Sequence, residues 1–186
     1  MVHKHYIIFK PYKTLSQFVN NKTRKKPLLS DLFEFTKGTM AIGRLDADSE
    51  GLLFLTTDGM VSEAVRSRKV EKEYWIQLDG AITDNAIEKL RSGTVITVNK
   101  NIYKTLPCKV NRIETPLLPE RGRKIRDERH GPTSWISIIL TEGKNRQVRK
   151  MTASVGYPTL RLVRYRIGDT TIDRMQPGDV IEVESF

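Results

Sequence analysis

Nine consecutive residues, Gly43-Arg44-Leu45-Asp46-Ala47-Asp48-Ser49-Glu50-Gly51, constrain the fold more than any other stretch. They set four charged side chains and two glycines between a short apolar piece, Met40 to Ile42, and the apolar run Leu52-Leu53-Phe54-Leu55, which the turn signal Asp58-Gly59 follows. A chain patterned in this way passes from one buried element to the next through a polar loop. Loops held at both ends are where chemistry commonly sits. Asp46, Asp48, Glu50 and Gly51 match the opening of a calcium loop, which needs alternating oxygen ligands, a glycine sixth and a bidentate Glu twelfth. Here the twelfth place is Thr57 and the second half of the loop is apolar, which argues against calcium. Two readings remain open at this point: a polar turn whose Asp and Ser side chains bond their own backbone, and a lone catalytic carboxylate, Asp46, beside Arg44.

Charge narrows the partner. Thirty-two Lys and Arg against twenty-two Asp and Glu give a formal charge of +10 over 186 residues. Such a balance suits a polyanion. Nucleic acid fits better than an anionic membrane surface, because no amphipathic helix with a basic face and exposed aromatics can be found. No apolar run approaches the length of a membrane span, and the stretch Tyr6-Ile7-Ile8-Phe9 after the basic start is too short for a signal peptide. A cytoplasmic protein is expected. The single Cys108 agrees, allowing no internal disulfide and reading as a small buried hydrophobe.

Along the chain, Tyr6 to Phe9 predicts a strand stopped by Lys10-Pro11, and Tyr12 to Arg24 is polar and irregular. Ser30-Asp31-Leu32-Phe33-Glu34-Phe35 predicts a short helix ending near Gly38. Asp58 is placed to cap a helix from Met60 to about Arg68. Lys72 to Leu78 alternates as a half-buried strand, Thr83 caps a helix through Leu90 closed by Gly93, and Thr94 to Val98 returns as a strand. Trp135 to Leu140 predicts a buried strand. Asn145 then caps a helix from Arg146 to Val155, whose Val148, Met151, Thr152 and Val155 share one face. Leu160 to Ile167 alternates apolar residues with Arg161, Arg164 and Arg166, predicting a strand with a basic outer face. Pro177-Gly178 turns into a last strand, Val180 to Val183.

Residues 118–133 change character, with Arg121, Arg123, Lys124, Arg126, Arg129 and His130 and almost nothing to bury. They are expected to form a flexible arm or long loop. The arm reads either as a set of phosphate contacts, each cation displacing counterions from RNA, or as a solvated insertion. Lys144, Arg146 and Lys150 extend the basic set. Arg146 and Arg149, three apart at the start of a helix, oppose its dipole and read as surface charge, as an anion clamp, or as partners for a buried carboxylate.

Three ordered pieces carry a family resemblance: Gly43-Arg44-Leu45-Asp46 with Gly51-Leu52-Leu53 and Leu55-Thr56; Lys72-Glu73-Tyr74; and Glu142-Gly143-Lys144-Asn145-Arg146-Gln147-Val148-Arg149. They resemble the motifs of pseudouridine synthases of the small-subunit synthase A family. Phe9-Lys10-Pro11-Tyr12, Ser16-Gln17-Phe18, Pro132-Thr133-Ser134-Trp135 and the run Gly156 to Gly168 are similar to its large-subunit ribosomal RNA pseudouridine synthase E branch. Family members commonly carry a small N-terminal S4-type RNA-binding domain, and none is expected here.

The resemblance implies an α+β fold: one catalytic domain over residues 1–186, its mixed, mainly antiparallel sheet bent into two lobes with peripheral helices and a central active-site cleft. It implies Asp46 as the nucleophile, attacking C6 of the uracil or C1′ of the ribose, with no metal or cofactor. Arg149 takes the position of the arginine that keeps the aspartate ionised. Tyr74 stacks on the target base, Val148 lines the pocket, Arg44 fills the gap left by a flipped uridine, and Lys72 supports the motif. Large-subunit ribosomal RNA or an assembling ribosomal particle is the implied substrate, acted on by a monomer. Two rivals stand beside this reading. A non-catalytic ribosomal RNA-binding or assembly module would not need Asp46, and a metal-dependent nuclease would use Asp46, Asp48 and Glu50 together as oxygen ligands.

Overall fold

The computed structural model describes residues 2–19, 26–67, 70–126 and 128–186. In chain order its elements are strands β1 (His5–Lys10), β2 (Met40–Ala41) and β3 (Glu50–Thr56), helix α1 (Gly59–Arg66), strand β4 (Lys72–Asp79), helix α2 (Asp84–Arg91), strands β5 (Val95–Val98), β6 (Asn101–Lys104), β7 (Lys109–Ile113) and β8 (Thr133–Leu140), helix α3 (Gln147–Ser154), and strands β9 (Thr159–Ile167), β10 (Thr170–Thr171) and β11 (Val180–Val183). The expected α+β class, strands interspersed with short helices, is what folds.

The chain divides into two compact units, Met1–Val70 with Pro119–Gly122 and Val163–Phe186, and Glu71–Leu118 with Arg123–Leu162. In the first, strand order is β11-β1-β3 and then the end of β9, with β2 on β3 and β10 on β9. The apolar run makes β3 buried along its whole length, paired antiparallel to β1 through Ile8↔Leu53, Phe9↔Leu52 and Lys10↔Gly51. On its other side β3 runs parallel to β9, Gly51 facing Arg164. That approach is close. A Cβ on Gly51 would run into the Arg164 carbonyl and lie 2.8 Å from its nitrogen, and the glycine sits at φ +104°. Only glycine fits both demands.

The helix expected from Ser30 to Gly38 does not form. Leu29–Asp31 makes one 3-10 turn, Asp31 Oδ2 accepting from the Leu28 N–H at 2.8 Å. The aromatic side chains beyond it are committed elsewhere: Phe35 meets Tyr6 at 5.2 Å and Phe18 at 5.5 Å between ring centroids, both edge-on. These rings pack on a core of Tyr6, Ile8, Leu29, Leu53 and Leu55. Tertiary burial outweighs the local capping signal. Residues 12–19 are irregular, as expected, while residues 20–24 lie outside the described residues. Helix α1 starts at its Asp58 cap, whose Oδ1 accepts from the Met60 and Val61 N–H groups. It ends at Arg66, and the expected end near Arg68 lies outside the described residues.

In the second unit the order runs from the start of β9 through β4 and β8 to β7. The β4 alternation buries Tyr74, Ile76 and Leu78, with Tyr74 opposite Ile138 and Ile76 opposite Ile136. Thr83 caps α2 as expected, its Oγ1 accepting from the Ala86 N–H at 3.3 Å. Strands β5 and β6 form a separate hairpin, turned by Asn99 and Lys100, both left-handed at φ 49° and 67°.

Two sequence expectations need correcting here. Asn145 does not cap α3; Arg146 holds that place at φ 51°, with no side-chain capping bond. The Gln147 side chain reaches back instead, its Oε1 accepting from the Lys144 N–H at 2.9 Å. Nor does β9 present a basic outer face, since Arg161 and Arg164 are both buried.

Candidate active site

The loop carrying Asp46 is pinned residue by residue. Ser16, itself buried, bonds both backbone groups of Leu45: its Oγ–H donates to the carbonyl at 2.7 Å, and the Leu45 N–H donates to Oγ at 3.0 Å. One hydroxyl thus does for Leu45 what a neighbouring strand would do. The Lys13 N–H donates to the Ala47 carbonyl at 2.6 Å, and the Ser49 N–H closes a turn onto the Asp46 carbonyl at 3.0 Å. Leu45 is buried, Asp46 half-buried and Arg44 exposed. A nucleophile on so constrained a backbone needs little ordering when substrate arrives.

Under this loop lies a buried charge cluster. Glu50 is 1% exposed, Lys10 0% and Arg164 4%. Lys10 Nζ donates to the Pro11 carbonyl at 2.9 Å and the Thr14 carbonyl at 2.8 Å, and Arg164 Nε donates to the Leu52 carbonyl at 2.7 Å. Burial pushes the Lys10 ammonium down to about 7; Glu50, Asp48 and Asp46 pull the other way, and Arg164 adds to the depression. Two carbonyl acceptors match the two protons of the neutral amine.

The remaining motif residues belong to the second unit. Lys72 opens β4 half-buried, and Tyr74 follows two places later, buried. Val148, buried, and Arg149, half-buried, lie in the first turn of α3. Lys144 sits with its ammonium 4.9 Å above the Tyr103 ring, Arg146 is exposed, and Lys150 half-buried.

The basic stretch is tied down at two points rather than hanging free. Arg121 packs its guanidinium 4.3 Å above the Tyr12 ring. Arg126 forks onto Asp79, Nη1 donating to Oδ2 at 2.9 Å and Nη2 to Oδ1. Arg123, Lys124 and Arg129 are exposed, the last within a 3-10 turn, Glu128–His130, while residue 127 lies outside the described residues. Arg126, grouped on sequence with the phosphate contacts, thus has its fork occupied by a carboxylate. Among the described residues, no three His, Cys, Asp or Glu side chains gather as a metal site would require.

A family model described as RNA pseudouridylate synthase matches residues 4–154. The chain belongs to that family. The synthase is 46% identical over 181 residues to a Vibrio parahaemolyticus protein named ribosomal large subunit pseudouridine synthase E, covering 96% of this chain and 73% of the relative. It is 41% identical over 175 residues to a Xanthomonas campestris protein of the same name, covering 92% and 91%. A crystal structure of a pseudouridylate synthase superposes with a TM-score of 0.74 over 97% of this chain and 70% of that one at 24% identity, a likeness of fold.

Sequence reasoning on the synthase passed over several residues that its geometry brings forward. Lys10 enters the sequence reading only as a strand stop and as part of a branch-like stretch; the signal of its burial is a lysine in phase with the core residues Tyr6 and Ile8, beside a proline. Ser16 and Gln17 entered only as branch-like residues. Arg164 looked like surface because its partner, the Leu52 carbonyl, lies 112 positions earlier. Glu142 and Gln147 stood inside a motif with no task assigned.

Proposed function

We propose that this synthase isomerises a specific uridine of large-subunit ribosomal RNA to pseudouridine, with Asp46 as nucleophile. The observation that carries the proposal is the 46% identity, over nearly the whole chain, to a relative named for that substrate. The pinned backbone on either side of Asp46 supports the choice of nucleophile.

On this reading the Asp46 carboxylate attacks C6 or C1′, the N1–C1′ bond breaks, and the uracil turns. C5 then bonds to C1′ and loses its hydrogen as a proton, N1 takes up a proton in place of its lost bond to C1′, and the carboxylate departs, so that the product is an isomer of the substrate. Arg149 keeps Asp46 ionised against desolvation, which favours the neutral acid. Tyr74 stacks on the base and Val148 walls the pocket. Arg44, exposed on the same loop, fills the space the uridine leaves, and Lys72 supports the motif. Arg121, Arg123, Lys124, Arg129, Lys144, Arg146 and Lys150 meet phosphates. The protein works in the cytoplasm as a monomer, on naked RNA or an assembling particle, without metal or cofactor.

The test is tritium release from ribosomal RNA labelled at uridine C5 and drawn from cells lacking this protein, with a chelator present. Release by the wild type and none by Asp46→Asn is the expected result. Release that chelator abolishes would favour a metal-dependent reaction, and binding without release from any ribosomal RNA would favour an assembly module.

A further inference from the structure

Helix α3, which carries Val148 and Arg149, begins without the usual means of fixing a helix start. Its cap residue Arg146 is left-handed, and its side chain makes no capping bond to the helix. A non-glycine residue in that region is strained, and persists only where its surroundings hold it. Those surroundings centre on Glu142, which is 4% exposed.

Each Glu142 oxygen is engaged. Oε2 accepts from the Tyr103 hydroxyl at 2.5 Å. Oε1 accepts from the Leu106 N–H at 2.9 Å and from Gln147 Nε2 at 2.6 Å. Gln147, also buried, then bonds the Lys144 backbone twice: its Oε1 takes the Lys144 N–H, and its own N–H donates to the Lys144 carbonyl at 3.1 Å. The chain of bonds therefore runs from hairpin β5–β6, which supplies Tyr103, through the carboxylate to the first residue of α3. Residues 148 and 149 are the next two. The hairpin strand β5 packs on α3 as well, and the Lys144 ammonium lies over the Tyr103 ring.

Packing alone does not call for this arrangement. Burying a carboxylate is costly unless its oxygens are bonded, and apolar side chains of similar volume often stabilise such a site as well or better. What a carboxylate adds is direction, since charge-assisted bonds of this length fix the rotation of Gln147. We infer that Glu142 is a positioning residue for the isomerisation, setting through Gln147 the placement of Arg149 and Val148, with Tyr103 as its buttress. This rests on the reading in which Arg149 sustains the ionised Asp46.

The experiment measures kcat and KM of tritium release for wild type, Tyr103→Phe, Glu142→Gln, Arg149→Met and Asp46→Asn, with melting temperatures alongside. Glu142→Gln keeps the size of the side chain and should lower kcat on the order of 10- to 100-fold, as a displacement of about 1 Å does, with KM near wild type. Tyr103→Phe should lower it less. In both, the loss should fall on kcat rather than on KM, as misplacement of a group that acts in the transition state does. A lowered melting temperature with kcat unchanged would reduce Glu142 to a structural role and overturn the inference. If Glu142→Gln fails to fold, Tyr103→Phe decides by the same two readouts. Full turnover in Arg149→Met would instead remove the role of Arg149, overturning this inference together with that part of the mechanism. Full turnover in Asp46→Asn would sink the mechanism itself.

Discussion

At Gly51 the backbone of β3 touches that of β9 with no room for a side chain. Gly51→Ala therefore combines a left-handed φ with a backbone collision, and should cost roughly 2–4 kcal/mol in urea unfolding. A loss under half a unit would mean that the two strands part easily. Asp46 lies five residues before this contact, so the same variant should also lose turnover. Lys10 makes a different prediction. Its folded pKa lies near 7, below its ordinary 10.5, so between those values the unfolded chain holds a proton that the folded protein does not. Stability from this group therefore rises with pH across that window and is flat below it. Compared by urea melts at pH 7 and pH 9.5, wild type should gain on Lys10→Met as pH rises. Parallel changes in the two proteins would place the titration elsewhere.

At the scale of elements, what was legible in the sequence was what depends on near neighbours. Asp58 and Thr83 cap helices because their acceptors lie two or three residues from the donors they satisfy. Removing one such bond by Thr83→Ala should cost about 1 kcal/mol, read as a lower melting temperature. The buried β3 and the alternating β4 were likewise evident from pattern. The candidate site was legible as motif residues, Asp46 and Tyr74 among them, while the groups that hold these in place were not. Phe33 and Phe35 looked helical because their tertiary partner, Tyr6, lies far back in the chain. Asn145 looked like a cap because nothing local tells that Gln147 answers to Glu142 and Tyr103. Arg161 and Arg164 looked solvated because alternation cannot distinguish water from a protein interior, which for Arg164 includes the distant Leu52 carbonyl. The hairpin turn leaves a further mark: Lys100, at φ 67°, stands where the Asn-Gly turn places glycine. Lys100→Gly should stabilise the protein by roughly 0.5–1 kcal/mol, and a destabilised variant would show that the lysine makes a contact the turn needs.

At the scale of the whole molecule, the charge of +10 predicts RNA affinity that falls steeply with salt. Arg123→Ala with Lys124→Ala should flatten the slope of log affinity against log salt by about 1.4, near 0.7 per single-strand phosphate. Arg126→Ala should instead lower the melting temperature and leave that slope almost intact, since its fork is held by Asp79; a slope change equal to that of its neighbours would return it to the phosphate contacts. The bond from Arg164 to Leu52, spanning 112 positions, and the pairing of His5 with Val183 also bear on the order of events at the ribosome. With synthesis at roughly 5–20 residues per second, on the order of ten seconds separates the appearance of the Asp46 loop from that of the strand that completes its floor. The nascent chain therefore exposes Asp46 long before its loop has a floor, and that floor can close only after residue 164 has left the ribosome.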